Sequence, residues 1–150
     1  MTEIKDRHGY VVRPNDDLNG FDFDSSCLDG TNLSGRQMEG ANFSDASMIN
    51  SNLEGSDLYW AVFFRANLAN ANLKQARLCG ANLKDANLTG ADLREADFGR
   101  DNLDGFTDLQ GANLTGCLVD GTNFSGSIYS RETIFPEGFD PISNGMQLHE

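Results

Sequence analysis

Large apolar residues recur at every fifth position of this chain, and few folds can use such a period. From Leu18 to Leu103 the position is Leu, Phe or Met eighteen times without a break. After one extra residue it resumes at Leu109, Leu114, Val119, Phe124 and Tyr129. Taking this residue as i, position i−2 is small, and it is alanine at every step from Ala61 to Ala96. Position i−1 is often Asn or Asp, and twelve of the sixteen glycines lie at i+2. On an α-helix a step of five turns the side chain by roughly 140° and scatters it around the axis. On a continuous strand an odd period sends successive side chains to opposite faces. Both leave half of the apolar groups in water, so the chain must turn once per pentad.

Glycine at i+2 suits that turn, because a type II turn requires positive φ at its third residue. If all turns share one hand and are near square, four pentads close a coil. Positions i and i−2 then point inward and i−1, i+1 and i+2 outward. Twenty-three pentads make about six coils, a rod roughly 28 Å long at the strand spacing. Taking every twentieth residue gives four interior columns. The first is Phe23, Phe43, Phe63, Leu83, Leu103, Phe124, and the second ends in Leu109 and Tyr129. The third is Leu33, Leu53, Leu73, Leu93, Leu114, and the fourth is Leu18, Met38, Leu58, Leu78, Phe98, Val119. Burying each such side chain stabilises by roughly 1.5–3 kcal/mol.

The stretch "ANLKDANLTGADLREADF" resembles the pentapeptide-repeat family, whose motif is A(D/N)LXX. The resemblance runs over residues 16–130 and implies an all-β fold, a right-handed quadrilateral parallel β-helix. The phrase "TIFPEGFDP" also looks like the end of many cyanobacterial members. The expected organisation is an N-terminal cap over 1–15, a β-helix over 16–130 with a one-residue insertion near 105–106, and a C-terminal cap over 131–150. The ends of a solenoid expose unpaired ladders and need covers. Val11 and Val12 are the candidates at one end, and Ile134, Phe135 and Phe139 at the other.

Two residues break the motif. Arg36 stands at an i−2 position one coil from Asp16, and an inward guanidinium needs a partner, so an Asp16–Arg36 contact is expected. Asp101 stands at i−2 just before the insertion, where it should accept hydrogen bonds from freed amides.

The candidate site is the stretch "LYWAVFFRANL". Leu58, Ala61, Phe63, Ala66 and Leu68 belong inside. Tyr59, Trp60, Val62 and Phe64 fall at outward positions around one corner, with Arg65 at their rim. Contiguous exposed apolar surface marks an interaction site, and Tyr and Trp dominate binding hot spots. A partner protein, self-association or the C-terminal tail could each cover the patch.

No catalytic chemistry is legible. His8 and His149 lie near opposite ends, and no zinc, redox, dinucleotide or Walker motif occurs. Cys27, Cys79 and Cys117 are odd in number and match no metal spacing. A packed coil leaves no cavity for a small-molecule substrate. We therefore expect no enzyme, cofactor or metal. The net charge of −12 argues against direct nucleic-acid binding. The sequence offers no membrane span, and the setting expected is cytoplasmic. Residues 62–90 form a band of net +3 between two acidic segments of −8 each. The reading is a protein-interaction module with an unidentified partner. The alternative, implied by the family resemblance, is an acidic mimic of DNA that binds a type II topoisomerase and confers drug resistance. The short rod and the basic band fit that alternative poorly.

Overall fold

The computed structural model describes residues 3–150. The chain turns once per pentad. From Leu18 to Leu93 the carbonyl of each i residue accepts a hydrogen bond from the amide three residues on, at 3.0 Å for both Phe23–Ser26 and Leu58–Ala61. Position i+2 has positive φ at every step from Gly20 to Glu95, as a type II turn demands. Nine of these steps use residues other than glycine, from Ser25 to Glu95, with φ of 54–61°.

Parallel bridges join successive coils at intervals of twenty, as in Asp22–Asn42, Asn42–Val62 and Val62–Asn82. Within one such step Phe23 N–H donates to Asn42 O at 2.7 Å, and Asn42 N–H donates to Phe21 O at 2.8 Å. Corners interrupt the ladder so often that it consists of single-residue bridges. Among the described residues, strands appear only where β1 (Ile128–Tyr129) pairs in parallel with β2 (Gln147–Leu148).

The interior is filled by the i and i−2 side chains. Leu33, Leu53, Leu73 and Leu93 are fully buried, and so is every alanine from Ala61 to Ala96 at i−2. Phe23, Phe43 and Phe63 stack with centroids 5.1 and 4.9 Å apart. Several polar i−2 residues bond to backbone, whereas the buried Ser51 hydroxyl has no partner among the described residues. Ser56 Oγ donates to Leu53 O at 2.6 Å, and Thr107 Oγ1 donates to Leu78 O at 3.0 Å.

Three expectations need correction beyond Phe98. Leu103 is not a core residue but is 75% exposed. The insertion is longer than one residue, because Asn82 bridges to Asp108, 26 positions on. Every later column member therefore moves by one face. Leu109 follows Leu83, Val119 follows Leu93, and Phe124 follows Phe98, on which it stacks at 5.2 Å. The reason is one of phase. Leu103 falls in register with the repeat, and periodicity cannot distinguish a pentad on the wall from a pentad-long excursion off it.

At the N-terminal end Lys5 pairs antiparallel with Val11 in a hairpin. Its Ile4 and Val12 pack on the core, whereas Val11 faces outward. Residues 1 and 2 of the expected cap lie outside the described residues. At the other end Phe135 and Phe139 pack on the core and Met146 is buried, whereas Ile134 is half exposed. Arg36 does turn towards Asp16. It donates to the backbone carbonyls of Asp16 and Arg13, at 2.9 and 3.1 Å, and not to the carboxylate. The Asp16 carboxylate instead accepts the Arg13 amide at 2.7 Å.

Candidate functional site

The corner after the fourth column carries Gly20, Gly40, Trp60, Gly80, Arg100 and Gly126 at i+2. The excursion over residues 99–106 leaves the wall at this corner, two coils beyond Trp60, and folds back to it. Asp101 ties it down. One carboxylate oxygen accepts the Trp60 indole N–H at 2.6 Å, and the other accepts the amides of Leu103 and Gly105 at 2.8 and 2.6 Å. The Tyr59 hydroxyl donates to the Asn102 side-chain oxygen and accepts the Asn102 amide, each at 2.6 Å. The indole bond, followed by the two amides, holds the Asp101 carboxyl below its ordinary range, with burial opposing. Asp101 thus binds freed amides as expected, but from outside the coil.

The passage needs Gly80. A Cβ there would lie 2.5 Å from Trp60 Cδ1 and 2.9 Å from an Asp101 oxygen, inside any real contact. The place that the departing chain leaves open is taken by Thr107, whose Oγ1 accepts the Gly80 amide at 3.1 Å.

The five candidate residues therefore do not form one open patch. Tyr59 is buried at 6% exposure as a seat for the loop. Trp60 is 38% exposed, Val62 and Phe64 are half-buried and Arg65 is exposed. The sequence reading missed Asp101, Asn102 and Gly80 as parts of this corner. The signal available was the pairing of an oversized Tyr–Trp turn with a broken repeat later on the same column.

Two of the four cations of the basic band are paired locally. Arg65 makes a bidentate pair with Asp45 at 2.7 and 2.8 Å and lies 4.8 Å over the Phe64 ring. Its guanidinium hydrogen bonds lower the Asp45 pKa. Arg77 pairs with Asp57 at 3.2 Å and lies 4.5 Å over Tyr59. Beyond the band, Arg94 pairs with Asp92 at 2.6 Å. Among the described residues, no cluster of His, Cys, Asp and Glu is placed to hold a metal, and no helix is long and apolar enough to cross a membrane. Cys79 and Cys117 are buried thiols, each pushed up to about 12, chiefly by that burial.

A four-sided parallel β-solenoid with a closed apolar interior and its variation written on the corners is the class that this geometry defines. The chain belongs to the pentapeptide-repeat family. The family model for pentapeptide repeats matches residues 26–63, 61–100 and 107–128, in eight copies. The gap between the last two matches coincides with the loop, and membership implies the right-handed sense of the helix. HetL from the cyanobacterium Nostoc sp. strain PCC 7120, a pentapeptide repeat protein involved in heterocyst differentiation regulation, is 30% identical with a TM-score of 0.71. The match covers 74% of this chain and 48% of HetL, so this chain spans about half of HetL's length. A second Nostoc PCC 7120 pentapeptide repeat protein is 34% identical with a TM-score of 0.51, over 75% of this chain and 84% of its own. QnrB1, a plasmid-mediated fluoroquinolone resistance protein, shares the fold at 18% identity and a TM-score of 0.51, over 85% of this chain and 77% of its own. None of the curated protein sequences matches this chain.

Proposed function

We propose that this protein is a rigid, non-catalytic interaction module that holds a partner protein on the face between the Trp60 corner and the Phe64–Arg65 corner, together with the tip of the 99–106 loop. The observation that carries this reading is Leu103. A leucine at 75% exposure is held out on a loop fastened by Asp101 and Asn102 to Trp60 and Tyr59. An apolar side chain on a pre-ordered loop binds with little further loss of conformational freedom. Tyr59 serves as the buried support, and Trp60 and Phe64 offer the ring surface typical of hot spots. A regulatory role is in keeping with the likeness to HetL, and the setting we propose for it is the cytoplasm.

The test is a Leu103→Ser, Phe64→Ser double variant, assayed for melting temperature and for capture of proteins from the source cells. The expected result is an unchanged melt and loss of a captured protein. Unchanged capture sinks this reading.

The net charge of −12 supports a second reading, an acidic mimic of DNA that binds a type II topoisomerase. The pairing of Arg65 and Arg77 with carboxylates removes part of the local conflict with that reading. Inhibition of gyrase supercoiling by the purified protein, relieved by added linear DNA, would favour it over the first.

A further inference from the structure

The N-terminal end of the solenoid carries an edge that its cap leaves open. Asp22, on the first coil, is covered by the chain itself, because Arg7 N–H donates to Asp22 O at 2.7 Å. On the next two faces no such strand follows. Cys27 bridges only to Ser47, and Asn32 only to Asn52. Among the described residues, nothing bonds to the outer side of either backbone. Beside Asn32 and Ser34 lies a groove of about 440 Å³, walled by Ile4, Val11, Val12 and Pro14.

The groove is also where cations collect in an acidic protein. Arg13 and Arg36 both line it, and no described ion pair engages either of them. Arg36 uses one nitrogen for the carbonyls of Arg13 and Asp16, and among the described residues its remaining donors have no partner. The one acid of the lining, Glu3, is engaged by Lys5 at 3.3 Å.

We propose that this groove binds an extended, apolar segment of a partner protein that carries a carboxylate. The segment adds to the open edge at Asn32 as Arg7 adds at Asp22, by backbone hydrogen bonds. Alternate side chains enter the Ile4–Val12 wall, and the carboxylate meets Arg36 and Arg13. An exposed edge recruits a strand of any sequence, and the two guanidiniums select for the acid.

The probe is a fluorescein-labelled peptide of alternating valine and threonine with one central aspartate, titrated by anisotropy against the full chain. A peptide with lysine in place of the aspartate is the control. Saturable binding of the first, and binding of the second weaker by about tenfold or more, is expected, the factor for losing one charge-assisted bond. Arg13→Glu, at a side chain that makes no hydrogen bond or ion pair among the described residues, should weaken the aspartate peptide similarly without moving the melting temperature. Asn32→Pro removes an unpaired N–H, which an edge tolerates, together with the side-chain acceptor of the Ser34 amide, and should also weaken it. No binding, equal binding of both peptides, or indifference to Arg13→Glu overturns the proposal. So does a wild-type dimer that Asn32→Pro dissociates while peptide binding is unchanged, since the occupant is then a second copy. None of these variants touches Leu103 or Trp60, so the outcome is independent of the corner reading above.

Discussion

The corners after the second and fourth columns have one backbone and two fates. Both place a left-handed residue at four successive steps, Gly30, Asn50, Asn70 and Gly90 on one and Gly20, Gly40, Trp60 and Gly80 on the other. On both, a side chain is laid along the column over the glycine of the next coil. Asn70 lies over Gly90, where an added Cβ would collide with its side-chain oxygen, and Trp60 lies over Gly80. Asn70 ends there. Trp60 continues to a carboxylate on a loop that the other corner lacks. The wall depends on what faces inward, so a corner can accept an indole and a docked loop without any change to the coil. That separation can be attacked from either side.

The largest effect should come from inside. Phe43 and Phe64 are the same amino acid on the same face, one fully buried between two rings and one half in solvent. Phe43→Ala should cost about 3–5 kcal/mol, the range for a core aromatic, whereas Phe64→Ala should cost less than about 1 kcal/mol. Urea unfolding of both variants measures the gap. Similar losses would show that the outer face carries the coil, and the distinction between wall and corner would collapse.

A smaller effect should separate two glycines. Gly55 and Gly80 both have positive φ, 64° and 72°, but a Cβ at Gly55 meets nothing within 4 Å. Alanine at either site bears the left-handed backbone penalty of about 1–2 kcal/mol. Only Gly80→Ala also evicts the indole from its path to Asp101. The excess destabilisation of Gly80→Ala over Gly55→Ala therefore reads the seating of Trp60, and a shift of Trp60 emission should accompany it. Equal losses with unchanged emission would mean that the loop holds without the indole.

The wall was legible in the sequence because inward positions obey one rule. Period five, small i−2 residues and glycine at i+2 together leave one way to bury Leu and Phe. The turn conformation followed even at Trp60 and Arg65, where no glycine marked it. The loop was hidden for the same reason that the wall was plain. "RDNLDGF" contains Leu103 in phase, flanked by Asn and followed by glycine at i+2, so it imitates a pentad. Its departure was visible only in Asp101 at an alanine position and in one surplus residue. The site was half legible. Tyr59 and Trp60 stood out as oversized at a corner, but what covers them is a contact across more than forty residues, which no local pattern encodes. Arg36 shows the same limit. Its need for a partner could be read, but whether a carboxylate or a carbonyl supplies it depends on where the Asp16 side chain finds its own donor.

The smallest effect should be a local release of the loop in acid. The Asp101 carboxyl lies below the usual range, first through the Trp60 indole and then through the Leu103 and Gly105 amides. With the loop detached it would return to the ordinary value near 3.9. A depressed value in the docked state means that the carboxylate favours docking above the free value, and that this contribution fades as pH falls through the docked one. Trp60 is the sole tryptophan, so its emission reports the latch directly. Titrated from about pH 7 to about pH 3, emission should stay flat and then change below about pH 4. Circular dichroism, which follows the wall, should keep its native signal through that change. Asp101→Asn keeps an acceptor for the indole but cannot titrate, and its emission should lack the acid step. A step centred above about pH 5, or one that survives in Asp101→Asn, would assign the titration to another group and leave the loop held by Tyr59 and Asn102 alone.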